Sequence, residues 1–274
     1  MRWPKDMPLR IAILADPHIC KPWLTVDHLA GIVERANALQ PDVFLLLGDY
    51  TIHHRWTNGQ EPRAKWAAVL SRLEAPLGVH AILGNHDWWE DPQAQRTGSG
   101  LTRNGDALMQ AGIPVYHNKA VRLQSDHGPF WLAGLGDQIA LRPDKSANRP
   151  GFVGLHDLRG TLDQVTDKAP LILLAHEPDI FPFVPDRVTL TLSGHTHGGQ
   201  VRLFGKSLIV PSRYGNRYAY GHIEERALSG VGTRTLIVSG GLGCSIMPVR
   251  LGVPPEITLV ELGAGHAPSP AVTS

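Results

Sequence analysis

Five short apolar runs organise this sequence, and each stops on polar residues of the kinds that bind metals. The run at 11–15 stops at Asp16-Pro-His18, that at 43–47 at Gly48-Asp49, and that at 79–83 at Gly84-Asn85-His86-Asp87. The run at 171–175 stops at His176, and that at 188–192 at Ser193-Gly-His195-Thr-His197. Apolar runs of this length bounded by turn signals are buried strands. In open α/β sheets, ligands bind beyond the carboxyl ends of the strands. The five runs are therefore expected to deliver their polar ends to one edge.

Helical patterns lie between them. Residues 25–40 carry apolar side chains at a 3.6-residue period until Pro41 stops it, 61–74 repeat the pattern through Trp66, Val69, Leu70 and Leu73, and 157–165 are a weaker third case. Strands alternating with helices imply βαβ units and a largely parallel sheet. Later strands at 201–204, 207–210, 235–238 and 256–260 have short connections and suggest a second sheet packed on the first. Residues 88–106 and 137–150 read as long loops, 263–274 as a frayed tail, and no domain boundary is visible within 1–262.

Composition limits the functions open to such a chain. Lys and Arg number 26 against 25 Asp and Glu, a formal charge of +1. That balance argues against a stable nucleic-acid partner held by phosphate neutralisation. The 42% hydrophobic content suffices for a packed core and excludes wholesale disorder. Cys20 and Cys244 allow at most one bridge, which suits a reducing compartment. No apolar run approaches the ~18 residues of a membrane span. Residues 1–9 carry Arg2, Lys5 and Asp6 with no apolar segment behind them, so no signal peptide is expected. The expected location is cytoplasmic, with peripheral contact at the inner membrane as the alternative. Oligomeric state is not legible.

The polar ends supply only oxygen and imidazole donors. Mixed sets of this kind suit divalent first-row ions such as Mn, Fe, Zn or Ni. Asp16, His18, Asp49, Asn85, His176, His195 and His197 are too many for one ion and about right for two if a carboxylate bridges. Asp16-x-His18 and His195-x-His197 put paired donors on one side of the chain, since strand side chains repeat every second residue. Two ions roughly 3.5–4 Å apart would polarise a phosphoryl oxygen and activate a water for in-line attack.

The five motifs, in this order, resemble the calcineurin-like metallophosphoesterase superfamily over roughly residues 10–262. The strings Leu192-Ser-Gly-His-Thr-His-Gly-Gly-Gln200, Gly240-Gly-Leu-Gly, Pro248-Val-Arg250 and Pro254-Pro-Glu-Ile257 resemble a bacterial branch of phosphodiesterase-like proteins and UDP-diacylglucosamine hydrolases. The resemblance implies an α/β four-layer sandwich, two mixed β-sheets flanked by helices. It implies that Asp16, His18, Asp49 and His197 hold one metal ion. Asp49, Asn85, His176 and His195 would hold the second, with Asp49 bridging. His86 matches the position that contacts the substrate phosphate and protonates the leaving oxygen.

Two departures matter. Ile52 stands where phosphoprotein phosphatases of the superfamily carry the Asp that orients the catalytic histidine, and the fourth motif reads Asn-His-Asp in place of Asn-His-Glu. Both argue against a protein phosphatase, and the first leaves His86 without its usual carboxylate partner.

Other residues admit blander explanations. Trp88 and Trp89 could wall a substrate pocket or pack a loop, and Arg213 and Tyr214 could contact phosphate and a ring or belong to an ordinary hairpin region. His53 and His54 could face the site or solvent. Asp137 could support the site or close a turn. Cys20 could be an extra ligand, but a small buried apolar side chain is the simpler account. The expected activity is hydrolysis of a phosphodiester or pyrophosphate bond by hydroxide generated at two metal ions, on a small-molecule or lipid-linked phosphate ester. A membrane-surface hydrolase of a UDP-linked lipid or phospholipid headgroup is the alternative, and a scaffold that keeps the fold without catalysis is a third.

Overall fold

Leu9–Leu14 (β1), Val43–Leu46 (β2) and Val79–Ala81 (β3) run parallel. Their side chains alternate between two apolar environments, as the period of two requires. Ala12, Leu14, Phe44 and Leu46 face one core cluster, and Ile11, Ile13, Val43 and Leu45 face another. Burial on both faces is why these strands read as unbroken apolar runs. The computed structural model describes residues 2–53, 55–245 and 247–263. Of the expected tail, 264–274 lie outside the described residues, as does His54.

Helices α1 (Val26–Asn37) and α2 (Arg63–Leu70) cover the outer face of this sheet. Thr25 caps α1, its hydroxyl accepting from the His28 N–H at 3.3 Å. Leu29, Ile32, Val33 and Ala36 form the buried stripe, and each such aliphatic contributes roughly 1.5–3 kcal/mol on burial. The expected long loop at 88–106 is largely helical instead. It holds the end of α3 (Asn85–Trp89), α4 (Pro92–Thr97) and the start of α5 (Arg103–Gln110). Asp91 caps α4 through the N–H groups of Gln93 and Ala94, Gly98 ends it at φ 59°, and Thr102 caps α5. The helices are too short for periodicity to show, so their caps carry the signal.

The second sheet is built from β4 (Lys119–Ser125), β5 (Gly128–Gly134), β6 (Leu171–Leu174), β7 (Leu190–Ser193), β10 (Gly221–Arg226) and β11 (Thr233–Val238). Its order is β10-β11-β7-β6-β5-β4, parallel in the middle and antiparallel at both edges. Membership differs from the expectation. β6 and β7 belong to this sheet, whereas β12 (Thr258–Leu262) returns to the first and pairs antiparallel with β1, from Leu9↔Leu262 to Ile13↔Thr258. β8 (Arg202–Leu203) and β9 (Lys206–Ser207) form a separate hairpin. Apolar patterning decides that a strand is buried but not which neighbour it pairs with.

The sheets pack face to face. Ile11, Ile13, Leu45 and Leu47 meet Leu132, Ile172, Leu174 and Leu192 between them. The far side of the second sheet is covered more thinly, by α6 (Leu158–Leu162) and a 3-10 turn at Pro178–Phe183 that buries Ile180 and Phe181. The result is two mixed sheets flanked by helices.

Candidate metal centre

The turns that follow β1, β2 and β7 are strained at the same place. Among the described residues ten non-glycine residues have positive φ, and five of them are Asp16 (51°), His18 (46°), Asp49 (57°), His195 (67°) and His197 (52°). Left-handed backbone is costly for such residues and persists only where the surroundings enforce it, so its concentration here marks a site. Two glycines make room for the convergence. A Cβ on Gly84 would lie 2.4 Å from Asp49 Oδ1 and 2.5 Å from the His176 ring, and one on Gly194 would lie 2.5 Å from Asp16 Oδ2.

All seven expected donors meet at this edge. Asp16, His18 and His197 bring one set of ligand atoms within 4.8 Å of one another, and Asp49, His176 and His195 bring a second. Asp49 Oδ2 lies 3.6 Å from His18 Nε2 and 3.3 Å from His176 Nε2, between the two sets. Its Oδ1 accepts from the His86 N–H at 2.8 Å. Asn85 Oδ1 is 2.8 Å from His195 Nδ1, and His18 Nε2 is 3.0 Å from His197 Nε2. His176 Nδ1 donates to the Leu47 carbonyl at 2.6 Å, which turns Nε2 toward the site. Among the described residues that buried Nε2 makes no well-formed hydrogen bond, and the Asp49 carboxylate lies 3.3 Å from it. An orphaned imidazole nitrogen among carboxylates fits a pair of divalent ions, and these residues could hold them.

The electrostatics agree with that chemistry. Burial drives His18 and His197 well below the usual imidazole range and lowers His195, so all three present neutral rings. Burial works against charge on Asp49, but His176 and His86 outweigh it and hold the carboxyl well below its ordinary value. Burial pushes Asp16 up to about 7. Burial also opposes charge on His176, yet the Asp49 and Asp16 carboxylates raise it well above its ordinary value. The metal-free site therefore carries protons that bound cations would displace.

Residues 9–199 match the family model for calcineurin-like phosphoesterases. The chain belongs to the calcineurin-like phosphoesterase family. It is 29% identical over 255 residues to the metallophosphoesterase YkuE of Bacillus subtilis, covering 92% of this chain and 78% of YkuE. It is 29% identical over 265 residues to the phosphodiesterase YaeI of Escherichia coli, covering 93% and 82%. A crystal structure of a dimetal phosphatase from Danio rerio is similar at TM-score 0.40 and 13% identity, covering 93% of this chain and 96% of that one. Family and donor set together support a metal-dependent phosphoesterase. Among the described residues no helix is long and apolar enough to cross a membrane.

Against the phosphoprotein phosphatases of this superfamily, two replacements become intelligible. Ile52 is buried and offers His86 nothing, but Glu90 Oε1 lies 3.4 Å from His86 Nδ1. Asp87 is buried and turned to the backbone. Its carboxylate accepts from the N–H groups of Asp49 (2.9 Å), Tyr50 (3.0 Å) and Gly84 (2.8 Å) and from Asn104 Nδ2 (2.8 Å). It thus ties the β2 and β3 turns together. Burial and the nearby Asp49 carboxylate push it up to about 6. Arg250 Nη2 lies 3.1 Å from His197 Nδ1, and Nη1 donates to the Gly240 carbonyl at 2.8 Å, packing the guanidinium between that ring and the loop after β11. Glu90, Asp87 and Arg250 were given no role at the site by the sequence.

Several expected contacts move or fall away. Trp88 is fully buried in the core and cannot line a substrate pocket. Its neighbour Trp89 lies beside His86 instead, with its ring 5.2 Å from that of His86 and its Nε1 donating to the Ile139 carbonyl at 2.9 Å. Arg213 lines a cavity of about 190 Å³ beside His195, together with Gln138, Ile139, Glu177 and Ser212. Tyr214 is not among the lining residues and packs edge-on against Tyr218 at 5.0 Å. Asp137 is buried next to Glu177 and His176, and burial with the Glu177 charge holds it well above the usual carboxyl range. Both cysteines are free, and the Cys20 thiol is buried and pushed up by that burial. His53 is exposed, and its N–H donates to Glu90 at 2.7 Å.

Proposed function

We propose that the chain hydrolyses a phosphodiester or pyrophosphate bond, with Asp16, His18, Asp49 and His197 holding one divalent ion and Asp49, Asn85, His176 and His195 a second. The observation that carries this reading is the position of Asp49 Oδ2 between two imidazole nitrogens that belong to different donor sets, 3.6 and 3.3 Å away. When bound, two such ions supply charge to polarise the phosphoryl oxygens and a nucleophile at neutral pH.

The protein's own groups supply the rest. His86 stands beside the donor sets, its ring 4.9 Å from that of His18, and its proton goes to the leaving oxygen. Glu90 orients that ring and favours its charged form. Trp89 walls the site on the His86 side and shields the transferred proton from bulk water. Arg213 faces the cavity beside His195, where a second phosphate or the far ester arm would lie; its guanidinium fork suits a phosphate oxygen pair. A diester or pyrophosphate is favoured over a phosphoprotein by the Ile52 and Asp87 replacements and by the likeness to a protein named a phosphodiesterase.

The test uses bis-p-nitrophenyl phosphate and p-nitrophenyl phosphate with chelator-stripped protein, with and without added Mn. The expected result is Mn-dependent turnover that favours the diester and disappears in Asp49→Asn. Faster monoester turnover would sink the diester preference, and full activity in Asp49→Asn would sink the bridging assignment.

A further inference from the structure

The β8–β9 hairpin begins three residues after Gly199 and projects an apolar tip. Its turn, Phe204-Gly205, has positive φ at both central residues, 51° and 79°. Turns of that kind favour Asn-Gly, Asp-Gly or Gly-Gly, because a bulky side chain is disfavoured in left-handed backbone. Here the position holds a phenylalanine that is 105% exposed. It carries the backbone cost and buries nothing against its own chain. Leu208 (84%) and Ile209 (75%) are exposed beside it.

A second segment extends the apolar surface. Arg202 N donates to the Leu251 carbonyl at 2.7 Å, and Gln200 Nε2 donates to the carbonyls of Met247 and Val249. Met247, Val249 and Leu251 are each about half exposed. The lip is tied to the site itself, since Ser207 Oγ donates to the Gly198 carbonyl next to His197.

Its charge is one-sided. Residues 198–223 contain Arg202, Lys206, Arg213 and Arg217 and no Asp or Glu, in a chain whose overall charge is +1; Glu224 and Glu225 follow on β10. Arg250 is turned inward, onto His197 and the carbonyls of Gly240 and Gly243, and is not a lip cation. Arg217 is taken up by Glu225 at 2.5 Å, and Arg213 approaches Asp179 at 4.0 Å. Among the described residues, Lys206 has no acidic partner. A projecting apolar tip with cations at its base matches the layering of an anionic bilayer, where apolar groups enter the acyl boundary and cations meet lipid phosphates. A bilayer also demands no complementary concave shape, which a hairpin tip lacks.

We infer that the β8–β9 hairpin and residues 247–251 form a lip that docks on an anionic lipid bilayer and holds the mouth of the site at the headgroup layer. The docking rests on the lip alone. That the docked site then meets a lipid-linked phosphate ester rests on the function proposed above.

Sedimentation of the metal-loaded full chain with vesicles tests it. The protein should pellet with vesicles of phosphatidylcholine mixed with phosphatidylglycerol, not with phosphatidylcholine alone, and added salt should weaken the binding. Phe204→Ser combined with Leu208→Ser should weaken it at least about tenfold, the loss expected for withdrawing two buried apolar side chains. Lys206→Glu should weaken it too, and all variants should keep the melting temperature and soluble diester turnover. The docking is overturned if the wild type stays in the supernatant with both vesicles, or if the variants pellet as it does. It is also overturned if the same substitutions turn a dimer into a monomer without vesicles, which makes the lip a contact between copies. Vesicle binding without any diester turnover would support the docking and count against the reaction.

Discussion

Glu90 Oε1 lies 3.4 Å from His86 Nδ1, one helical turn further along the chain. The same oxygen accepts from the His53 N–H at 2.7 Å, and Oε2 accepts from Gln60 Nε2 at 3.2 Å. The loop after β2 therefore clamps the carboxylate that faces the histidine. In phosphoprotein phosphatases of the superfamily this loop would carry the carboxylate itself, at the place of Ile52. Here the turn beyond His86 supplies it, and the loop only steadies it.

Glu90→Gln should keep most of this packing and lose the charge. Burial opposes charge on His86, and Asp49 and then Glu90 more than restore it, so the histidine stands above its ordinary value. Without the Glu90 charge that value falls, and the limb of the pH–kcat profile that needs protonated His86 moves to lower pH. We expect kcat to drop roughly 10- to 100-fold at neutral pH, with bound metal and KM little changed. A parallel loss of metal would make Glu90 structural instead.

Asp87 predicts a different phenotype. Its two oxygens receive three backbone N–H groups and Asn104. Asp87→Asn leaves an amide N–H facing backbone donors and should destabilise the fold by about 2–4 kcal/mol, because buried donors lose their acceptor. Asn104→Ala should cost less, about 1–2 kcal/mol, since Asp87 keeps its backbone partners. Denaturant unfolding distinguishes the two, and equal losses would mean that the turns are not held through Asp87.

Stripping metal should lower the melting temperature, because ions that bind only the folded site stabilise it by mass action. The pH dependence follows from Asp16, which burial pushes up to about 7 in the metal-free protein. Above that pH its carboxylate is free to bind. Below it, a proton must leave first, so Mn affinity should weaken as pH falls from 7 toward 5, by up to about tenfold per unit for each proton displaced. Calorimetric titration in buffers of different ionisation enthalpy reads the released protons directly, and none released at pH 6 would contradict the account.

The convergence of the seven side chains was legible because each follows an apolar run, where strand ends and glycine turns leave little choice of direction. The two sheets were legible as apolar strands, but the return of β12 to β1 was not, since pairing is settled by tertiary packing. Trp88 and Trp89 show the limit within a single helix. Neighbouring residues there point about 100° apart, and α3 is too short for its sequence to reveal which one faces the core. Glu90 escaped notice, and Asp87 and Arg250 were read only as parts of motifs, for another reason. Each acts through a partner that the chain brings close only on folding, such as His53 with Glu90 or His197 with Arg250.

Gly84 offers the sharpest test of the centre's geometry. A methyl group there would sit 2.4 Å from Asp49 Oδ1 and 2.5 Å from His176 Cε1, inside the contact distance of both. Gly84 has no positive φ to defend, so the backbone itself tolerates alanine. Gly84→Ala must therefore displace His176, assigned to the second ion, and Asp49, assigned to both; the second ion loses two of its ligands, and its affinity should fall at least about tenfold while the fold survives at a cost of about 1–3 kcal/mol. Gly31→Ala in α1 is the control, because its Cβ meets only Arg35 Nη1 at 3.6 Å and should stabilise the helix by about 0.5–1 kcal/mol. Metal analysis of the two proteins should find close to one ion per chain in Gly84→Ala and two in Gly31→Ala. Two tightly held ions in Gly84→Ala would show that Asp49 and His176 do not approach each other through an ion at this turn.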